Sequence, residues 1–569
     1  MSYLEMRDDH TLALKCNFED RELVKSVGDY KWNSLEKKWI FPFRRDIVDI
    51  IRSEFPRITI ASDVLEAYSQ DEKFQEKVQS IKKLKDCQVN ESFLKLPLFT
   101  HQRVGVKFLT QFRKAACFDD MGLGKTLEAL CFAVNKKEKI RKCLILCPKS
   151  VKLSVWANQI EEFTHEKYVV VDGPKKKREE QFQEFKNNDI FFLIASYETF
   201  RVAYDRLKTL KLINSNSSGI NMMILDEATK IKNPQTQITK KVIKTQIDFA
   251  LILTGTPMWN RVEDIYMLIQ FIHPGLLGST YWSFSDKYLR KGGFENHDVI
   301  GYKNLDDLQE KVNSISIRRE KHEVVQLPDM IREDRTLDME DKEQREAYRT
   351  MQEEMIVWVK TLDDQEIKVK AGELLTRNLR LSQITDGFLT DYSLKITKWY
   401  KGSSKLKEIK TIIEDYAESH QIVIFTRWLP MVDILQKTWE KSPYNAVSLY
   451  GRLNDTKRAE AISSFQSGRS RIFVAQINTG GMGIDLSCAT IQIYIDKAFI
   501  SPAVLNQAED RSHRPGLKNS LEVISLICKN TIDEHWEKLM RRKQRDISKF
   551  FPRTMISRAD WLYLLGTKK

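Results

Sequence analysis

The sequence lacks the marks of a membrane protein, a secreted protein or a small metal-stabilised domain. None of its apolar runs approaches the roughly 18 residues that a helix needs to cross a bilayer. Its first ten residues contain no apolar core of a signal peptide. The eight cysteines are scattered without a CxxC pair, so they predict neither a zinc site nor a disulfide framework. No short-period repeat or low-complexity tract occurs. These absences predict a reduced, intracellular, globular protein.

What is present is ordinary globular composition with a mild basic excess. The 569 residues are 42% hydrophobic and 30% charged, and 92 Lys and Arg against 79 Asp and Glu give a net charge of +13. At roughly 150 residues per domain, this length predicts three or four domains. A charge of +13 on such a long chain decides neither for nor against a nucleic-acid partner.

The first 60 residues predict a small α+β unit. A strand is predicted at Thr11–Lys15, a helix at Asp20–Val27, and a hairpin whose turn lies at Asn33-Ser34. Residues 61–95 are polar and rich in helix formers, so we expect a helical connector there.

Two series of short apolar runs, separated by helical segments, fill most of the remaining chain. Continuous apolar strands that alternate with helices indicate a parallel sheet covered on both faces. The sequence therefore predicts two tandem α/β domains. Residues 331–370 hold 12 acidic and 8 basic residues and are helical in character. The predicted strands are Ala116–Phe118, Cys143–Cys147, Tyr168–Val171, Ile190–Ala195, Met222–Leu225 and Ala250–Leu253 in the first series, and Ile422–Phe425, Ala446–Leu449, Ile472–Ala475, Ile491–Ile495 and Val523–Ile527 in the second.

A glycine-rich loop between a strand and a helix predicts a nucleotide site in the first α/β domain. It reads Asp-Met-Gly-Leu-Gly-Lys-Thr over residues 120–126, and Asp119 stands where the full eight-residue motif has its first glycine. Gly122 and Gly124 would let main-chain N–H groups approach phosphate oxygens at the helix N-terminus. Lys125 would then reach the β- and γ-phosphates, and the Thr126 hydroxyl would bind Mg²⁺. The alternative is a glycine turn without a ligand.

Three further segments of this domain fit a nucleotide site. Asp226 ends a predicted strand and can hold Mg²⁺ through water, while Glu227 can orient and deprotonate an attacking water. The Thr-Gly-Thr-Pro turn at residues 254–257 is a candidate relay between the nucleotide and a polymer. Gln102 lies about twenty residues before Lys125, and its amide could read an adenine edge.

The second α/β domain has no phosphate loop but carries a pair of arginines. Arg511 and Arg514 lie three apart on a predicted helix, so they would share a face. A guanidinium brought to the γ-phosphate would stabilise charge in the transition state. Taken alone, the same charge run would be read as a solvated helix face.

Together these motifs resemble the SWI/SNF-type ATPase branch of superfamily-two helicases over about residues 96–550. The segments DMGLGKT, LTGTPMWN, NTGGMGIDLS and QAEDRSHRPG, and the later Thr-Ile-Asp-Glu at 531–534, occur in the order of that branch. The resemblance implies two RecA-like lobes of an α/β fold, with ATP and Mg²⁺ as ligands, and the small amino-terminal α+β unit precedes them. The predicted domains are an amino-terminal accessory domain (1–60), a helical connector (61–95), an ATP-binding lobe (96–330), a helical linker (331–400), a second lobe (401–530) and a carboxy-terminal brace (531–569).

The resemblance also assigns residues to two surfaces. It adds Gly483 to the nucleotide site and supports the residues already assigned there, which are Gln102, Lys125, Thr126, Asp226, Glu227, Arg511 and Arg514. It implies that a DNA backbone contacts the first lobe near Ser150, Ser196 and Tyr197, and the second lobe near Arg427, Arg452, Thr479 and Gly480. The chain departs from the branch at Asp120 (usually Glu), Thr229 (commonly His), Asp485 (commonly Asn) and Phe499 (often Trp). Asp485 would place a negative charge near the expected groove.

The segments FEDREL (18–23), YKWN (30–33) and KKWIF (37–41) make the amino-terminal unit similar to the HARP domain of annealing helicases. Residues 30–45 carry five basic residues, one acidic residue and five aromatic residues, among them Lys38 and Trp39. Aromatic rings can stack on unpaired bases while Lys and Arg neutralise phosphates. The alternative is a small hydrophobic core with a basic rim. Residues 531–569 carry ten basic and five acidic residues and are expected to brace the lobes.

These expectations point to an ATP-dependent motor that translocates on double-stranded DNA and remodels DNA structures or DNA–protein complexes. Strand annealing or fork remodelling on forked or single-stranded DNA would be its output. The alternatives are a strand-separating DNA or RNA helicase, an ATP-gated DNA-binding subunit of a larger complex such as a defence system, and a remodeller that strips proteins from DNA. The absence of long insertions favours a bacterial or phage protein in the cytoplasm, and a eukaryotic protein of this kind would be nuclear.

Overall fold

A computed structural model of the chain consists of two compact units, Met1–Val324 and Val325–Lys569, which are described one at a time. No helix among the described residues is long and apolar enough to cross a membrane. The structure describes residues 2–214, 219–255, 257, 261–292, 298–324, 327–361, 371–391, 396–477, 484–498, 500, 502–514, 517 and 519–547.

The first unit begins with a five-stranded sheet of spatial order β3-β4-β2-β1-β5. The predicted strand Thr11–Lys15 is confirmed as β2, the predicted helix is observed as α1, and the predicted hairpin is β3–β4. Helix α2 buries Ile47, Val48 and Ile51 against this sheet, because residues three and four apart lie on the same helix face. The elements are β1 (Tyr3–Met6), β2 (Thr11–Lys15), α1 (Arg21–Val27), β3 (Lys31–Asn33), β4 (Lys38–Pro42), α2 (Arg45–Glu54), β5 (Thr59–Ile60) and the connecting helix α3 (Ser62–Lys82).

Charged groups fix this small sheet to the rest of the first unit. The Arg44 guanidinium donates to the Asp29 carboxylate (3.1 Å) and to the main-chain carbonyl of Gly275. Asp29 also accepts from the Ser279 N–H (2.8 Å), and the Lys311 ammonium lies 2.5 Å from the Asp46 carboxylate. Burial alone would raise the pKa of Asp46, but Arg44 and Lys311 outweigh it and lower that pKa to about 2. Burial nevertheless keeps the pKa of Lys311 below its usual value.

The larger part of the first unit is a seven-stranded parallel sheet of order β14-β6-β11-β10-β7-β9-β8. Most of its strands are buried along their whole length, which is why their sequences are continuously apolar. Its strands are β6 (Lys114–Cys117), β7 (Cys143–Cys147), β8 (Tyr168–Val170), β9 (Phe192–Ser196), β10 (Met222–Asp226), β11 (Phe249–Leu253) and β14 (Ser316–Ile317), and a hairpin of β12 (Leu289–Gly292) and β13 (Asp298–Tyr302) precedes β14.

Helices cover this sheet on both faces, as the alternating pattern predicts. Two hydrophobic clusters lie on the two sides, since alternate residues of one strand, such as Leu144 and Ile145, belong to different clusters. The helices are α4 (Thr100–Leu109), α5 (Lys125–Asn135), α6 (Asn158–Phe163), α7 (Lys175–Asn187), α8 (Tyr197–Thr209), α9 (Gln237–Lys244), α10 (Asp264–Ile272), α11 (Tyr281–Tyr288), α12 (Leu305–Ile315) and α13 (Lys321–Val324).

The second unit contains a six-stranded parallel sheet of order β15-β22-β21-β18-β20-β19 and a separate hairpin, β16–β17. The predicted α/β class with two parallel sheets is therefore confirmed, and every predicted strand of both series ends within two residues of the observed one. The strands are β15 (Met330–Leu337), β16 (Phe388–Asp391), β17 (Ile396–Trp399), β18 (Ile422–Thr426), β19 (Ala446–Leu449), β20 (Ile472–Gln476), β21 (Ile491–Tyr494) and β22 (Leu521–Cys528). The helices are Lys342–Thr361, Ala371–Thr385, Ser404–Tyr416, Leu429–Trp439, Asp455–Gln466, Pro502–Ser512 and Ile532–Ile547.

The prediction that residues 331–370 are helical was wrong for their first part. Strand β15 pairs in parallel with β22 over eight residues, from Met330 beside Leu521 to Leu337 beside Cys528. It is an edge strand with no fully buried position, so it shows no apolar run to distinguish it from a charged helix. The hairpin β16–β17 is a second non-helical element in the predicted 331–400 linker.

Candidate active site

In the first unit, the segments predicted to bind nucleotide and DNA follow the carboxyl ends of strands in the seven-stranded sheet, so they leave this sheet on the same side. Parallel pairing places the last residues of five strands at one level: Cys117 beside Leu253, Leu253 beside Asp226, and Cys147 beside Ser196, with β7 and β10 in the same register. Ligands of open α/β sheets bind at the carboxyl ends of the strands. The topology therefore gathers the phosphate loop, Asp226, Ser150 and Ser196 at the edge where a ligand is expected.

The phosphate loop adopts a backbone conformation that favours glycine. Gly122 and Gly124 have φ angles of +85° and +82°, in the left-handed region. A Cβ atom on Gly124 would also lie 2.1 Å from the Gln102 Nε2 atom. There is therefore no room for a side chain between position 124 of the loop and Gln102. It turns directly into α5, whose first N–H groups face the position of a bound anion in this type of loop.

Lys125 is held against the loop by two main-chain carbonyls. Its Nζ atom donates to the oxygens of Asp119 (2.7 Å) and Asp120 (3.0 Å). Thr126 follows in the first turn of α5 and is half-buried. A lysine, a hydroxyl and helix N–H groups within one turn fit a magnesium-bound triphosphate, and the amine would exchange carbonyl acceptors for phosphate oxygens.

Gln102 and His101 hold the phosphate loop from α4. The Gln102 amide donates to the Leu123 carbonyl (3.3 Å) and accepts from the Phe99 N–H (3.0 Å). The His101 Nε2 atom lies 3.0 Å from the same Leu123 oxygen, and burial lowers the pKa of this imidazole. Gln102 therefore lies beside the loop, where the spacing predicted it, and its contact with adenine stays a prediction.

A buried arginine braces the start of the same loop. The Arg319 guanidinium is bound to both Asp119 and Glu128, and the Arg319 N–H donates to the second Asp119 oxygen (2.9 Å). Gly105 makes room for this contact, because a Cβ atom there would lie 2.2 Å from a Glu128 oxygen and 2.6 Å from the Arg319 Nη2 atom. We call Arg319, Asp119 and Glu128 the Arg319 cluster.

Main-chain hydrogen bonds continue this brace on either side of Arg319. The Phe118 N–H donates to the Ile317 carbonyl (2.8 Å) and the Asp120 N–H to the Arg319 carbonyl (3.0 Å). The Lys321 N–H donates to the Asp120 carboxylate (3.1 Å). The last segment of the first unit thus fixes Asp119 and Asp120, the two residues whose carbonyls hold Lys125.

The Arg319 cluster holds an arginine where a metal ion could otherwise bind. Ligand atoms of Cys117, Asp119 and Glu128 lie within 4.8 Å of one another. The Arg319 guanidinium already supplies the compensating positive charge, so we do not assign a metal site here. Burial, with the Asp119 charge, raises the pKa of Glu128 to about 8 despite the opposing effect of Arg319.

Asp226 and Glu227 occupy the end of β10 in a constrained arrangement. The Asp226 carboxylate accepts from the Trp156 indole N–H (2.8 Å) and the Glu227 N–H (3.0 Å), and its main-chain carbonyl accepts from the Tyr197 hydroxyl (2.8 Å). Glu227 has φ +49° and ψ +53°, a left-handed conformation that costs a non-glycine residue of order 1 kcal/mol and is concentrated at functional sites. An oriented carboxylate at the sheet edge is the ligand type that Mg²⁺ prefers.

The turn after β11 packs directly on the phosphate loop. The Thr254 N–H donates to the Cys117 carbonyl (3.2 Å), and a Cβ atom on Gly255 would lie 2.9 Å from the Met121 side chain. A larger residue at position 255 would therefore displace the Met121 side chain of the loop. Thr256 lies outside the described residues, and the relay predicted for this turn stays a prediction.

The residues predicted to meet DNA in the first unit have different environments. The Ser196 hydroxyl is buried and caps α8 by accepting from the Thr199 N–H (3.1 Å), which is a local structural role. The Ser150 hydroxyl oxygen is enclosed and has no hydrogen-bond partner within the part of the chain that the structure describes. The structure does not test contact of either residue with DNA.

In the second unit, the predicted DNA residues also follow strand ends. The Arg427 side chain is held by the Ala498 carbonyl and lies 3.6 Å from Asp496, so it is anchored within its own unit. Arg452 is exposed in the turn after β19. Thr479, Gly480 and Gly483, assigned to DNA and nucleotide binding, lie outside the described residues, as does the departure at Phe499.

The prediction that Arg511 and Arg514 share a helix face was wrong. The helix ends at Ser512, so Arg511 is helical and Arg514 lies beyond the last turn. Arg514 instead lies 3.9 Å from Asp485, whose carboxylate also accepts from the Ser487 N–H (2.9 Å). The unusual Asp485 therefore pairs with an arginine assigned to the nucleotide site. The roles of both arginines in catalysis stay predictions.

The amino-terminal hairpin exposes a different tryptophan from the one predicted. Trp39 is half-buried, with its ring centroid 4.7 Å from that of Trp32 and 5.2 Å from that of Tyr30. Lys38 is paired with Glu5. Trp32 is 51% exposed and lies between Lys31 and the turn. Trp32 is therefore the accessible ring, and Trp39 is the support on which it packs.

Sequence reasoning missed Trp156 and Arg319. Trp156 stands alone in a helical segment, and nothing in the spacing links it to Asp226, 70 positions away. Arg319 lies 200 positions from Asp119, so only the folded chain shows their contact.

Two family models match the chain in consecutive segments. The SNF2-related domain matches residues 101–387, half of the chain, and the helicase conserved C-terminal domain matches residues 404–516. Both matches begin after residue 100, so neither tests the resemblance of the amino-terminal unit to a HARP domain.

Similar curated proteins occur in bacteria and in eukaryotes. A Mycoplasma pneumoniae protein named as an uncharacterised ATP-dependent helicase is 28% identical over 83% of this chain and 44% of its own length. A Bacillus subtilis protein named as a candidate ATP-dependent helicase/translocase is 27% identical over 82% of this chain and 50% of its own length. The mouse DNA annealing helicase and endonuclease ZRANB3 is 26% identical over 79% of this chain and 40% of its own length. The chain spans half or less of the length of these relatives.

Proposed function

The chain belongs to the family of proteins with an SNF2-related domain, and from that premise we propose that it is an ATP-hydrolysing motor that moves along double-stranded DNA. The observation that carries the proposal is the arrangement of residues at the carboxyl ends of the strands in the seven-stranded sheet. Lys125 is held by the carbonyls of Asp119 and Asp120, and Asp226 ends a strand at the same level as the strand that leads into this loop.

The residues of this edge divide the work of hydrolysis. Lys125 and the first N–H groups of α5 bind the phosphates, and Thr126 and Asp226 hold Mg²⁺. When bound, the ion neutralises phosphate charge. Glu227 orients a water and accepts its proton as the water oxygen bonds to the γ-phosphorus and the bridging oxygen leaves with ADP. Arg511 and Arg514 are proposed to stabilise the charge on the transferred group.

DNA binding is proposed for the segments that follow neighbouring strands in each unit. In the first unit these contain Ser150 and Ser196, and in the second unit Arg427 and Arg452. Contact with phosphates alone would grip a duplex without reading its sequence, as a motor requires. Relatives whose names include a translocase and a DNA annealing helicase support DNA as the polymer.

ATP hydrolysis measured with and without duplex DNA tests the proposal. We expect strong stimulation by double-stranded DNA and near-complete loss of activity in Lys125→Ala. The matched control is Lys139→Ala, which changes an exposed lysine just after the same helix. Hydrolysis by the wild-type chain that is indifferent to every form of DNA and RNA would contradict the motor and favour an ATP-gated binding subunit.

Movement and strand separation are distinguished by two displacement assays. A translocase removes a triplex-forming third strand from duplex DNA, whereas a strand-separating helicase opens a forked duplex. We expect triplex displacement that requires ATP and Lys125. Fork opening without triplex displacement would favour the helicase alternative, and displacement of a DNA-bound protein would add remodelling to the same motor.

Strand annealing or fork remodelling is a second candidate, favoured by the exposed Trp32 on the amino-terminal hairpin. The ring lies on the Trp39 support, and a base stacked on such a ring contributes about 1–3 kcal/mol. Trp32→Ala should weaken binding of single-stranded DNA and slow annealing while leaving duplex-stimulated hydrolysis intact. Trp282→Ala, which removes another exposed tryptophan of the first unit, is the control. Equal effects of both changes would remove the hairpin from the mechanism.

A further inference from the structure

Asp226 is joined by hydrogen bonds to the segments that follow the two strands beyond it in the sheet. The Trp156 indole Nε1 atom donates to the Asp226 Oδ2 atom at 2.8 Å, and the Tyr197 hydroxyl donates to the Asp226 carbonyl oxygen at 2.8 Å. Both rings are fully buried. The orientation of the proposed magnesium-binding carboxylate therefore depends on side chains from outside its own strand.

Each of these side chains belongs to a segment assigned to DNA contact. Tyr197 directly follows Ser196 at the start of α8. Trp156 lies in a helical turn that begins two residues after Ser150, and the Ser154 hydroxyl of that turn donates to the Ser150 carbonyl (2.9 Å). A shift of either segment is thus transmitted to Asp226 through a single side chain.

The turn that carries Trp156 is an uncommon one. Residues Lys152–Ala157 form a π-helical turn between a 3₁₀ turn, Lys149–Val151, and helix α6. Such wide turns are rare and are concentrated at functional sites. Buried polar contacts hold this one, because the Lys152 ammonium donates to the Val171 carbonyl (2.9 Å) and the Asp172 carboxylate (3.0 Å).

We propose that Trp156 and Tyr197 are positioning residues that couple DNA contact at the segments of Ser150 and Ser196 to the orientation of Asp226. The inference rests on the proposed function, since it assumes that DNA binds these segments and that Asp226 serves ATP hydrolysis. It explains in structural terms how a polymer at one part of the sheet edge changes hydrolysis at another. Neither residue touches the reacting atoms.

The experiment measures DNA-stimulated and basal kcat, the KM for ATP and the Kd for duplex DNA in the full chain. Trp156→Phe keeps an aromatic ring in the core and removes the indole N–H, and Tyr197→Phe removes only a hydroxyl. Each change should lower the ratio of stimulated to basal kcat about tenfold, the effect of losing one hydrogen bond to a charged or oriented group. The KM and the Kd should stay within about twofold of the wild-type values, because the phosphate loop and the DNA segments keep their own contacts.

Matched controls separate positioning from packing. Trp428→Phe removes the same indole-to-carboxylate bond in the second unit, where Trp428 donates to Asp386 (2.7 Å). Tyr288→Phe removes a buried hydroxyl that donates to Asp307 in the first unit. We expect both controls to lower thermal stability as much as the test variants do and to leave the ratio of stimulated to basal kcat unchanged.

The outcomes distinguish this inference from the proposed function. If the wild-type chain is stimulated by DNA and both test variants keep the full ratio, the inference is overturned and the motor stands. A parallel fall of stimulated and basal kcat, or an equal fall in the controls, also overturns it in favour of packing. If no nucleic acid stimulates the wild type, the proposed function fails and the inference fails with it. Tyr197→Phe decides the matter if Trp156→Phe does not fold.

Discussion

Each unit contains a buried ion cluster in which a cation lies between two carboxylates, and the two clusters differ in what lies next to them. In the first unit, Arg319 joins Asp119 and Glu128 at the start of the phosphate loop. In the second unit, the Lys405 ammonium lies 2.7 Å from both Asp386 and Asp533. The charges are alike, but only the first cluster adjoins a residue that binds phosphate in the proposed mechanism.

Lys405, Asp386 and Asp533, which we call the Lys405 cluster, connect separate elements of the second unit. Besides its two carboxylates, Lys405 donates to the Ile495 carbonyl (2.8 Å), so its three donors reach three different segments. The two acids raise the pKa of Lys405 even though burial alone would lower it. Burial raises the pKa of Asp386, whose carboxylate also accepts from Trp428.

The Arg319 cluster uses a planar fork rather than a point charge. A guanidinium has five donors in fixed directions, so it can hold Asp119 and Glu128 and also donate to the His101 carbonyl. Asp119 in turn presents its own carbonyl to Lys125. A buried ion cluster is therefore not by itself a sign of function, and the residues whose main chain it holds decide which property changes when the cluster is lost.

The largest effect is expected for Lys405→Met, which leaves Asp386 and Asp533 buried without their cation. Such a break costs about 3–5 kcal/mol of unfolding free energy. Urea unfolding of the full chain, followed by circular dichroism, measures it. Lys407→Met is the control, because Lys407 lies in the same helix as Lys405 and its exposed ion pair with Glu340 should contribute less than about 1 kcal/mol. If the two variants lost the same unfolding free energy, the structural role of the Lys405 cluster would be refuted.

An intermediate effect is expected for Arg319→Lys, which keeps the charge and loses the fork. Loosening of Asp119 and Asp120 should raise the KM for ATP about tenfold, with a loss of only about 1–3 kcal/mol in unfolding free energy. Steady-state hydrolysis and urea unfolding give the two numbers. Arg318→Lys, at a neighbouring exposed residue, should change neither. If Arg319→Lys lost stability while its KM for ATP stayed unchanged, the Arg319 cluster would have only a structural role, as the Lys405 cluster has.

The smallest effect is a change in pH dependence in Glu128→Gln. Because the folded chain raises the pKa of Glu128 from 4.5 to about 8, the folded state binds more protons than the unfolded state between these values. The contribution of this group to stability is therefore present below about pH 4.5 and is lost as the pH rises towards 8. The variant should flatten that decline in unfolding free energy. An identical decline in both proteins would show that Glu128 is ionised throughout.

Residues with a periodic or local signal were predictable from the sequence. The buried parallel strands were found because both of their faces are covered, which leaves an uninterrupted apolar run. Gly122, Gly124 and Lys125 were found because a phosphate loop needs these residue types within a few positions. Strand β15 escaped because an exposed edge strand needs no apolar face.

Contacts between distant positions were not predictable. Arg319 and Trp156 act on Asp119 and Asp226 across long stretches of chain, and no spacing rule joins such pairs. The helix end before Arg514 did have a signal, because the following Pro515 disfavours helical backbone at the residue before it. Asp485 became intelligible only through its pairing with Arg514.

The docking of the amino-terminal sheet has a mechanical consequence. Arg44 donates to the Gly275 carbonyl, Asp29 accepts from the Ser279 N–H, and Lys311 donates to Asp46, so polar contacts cross the junction at three points. Separating the amino-terminal sheet from the rest of the first unit therefore requires the loss of all these contacts. The hairpin therefore belongs to a sheet that is attached to the first unit through side-chain contacts as well as through the connecting chain.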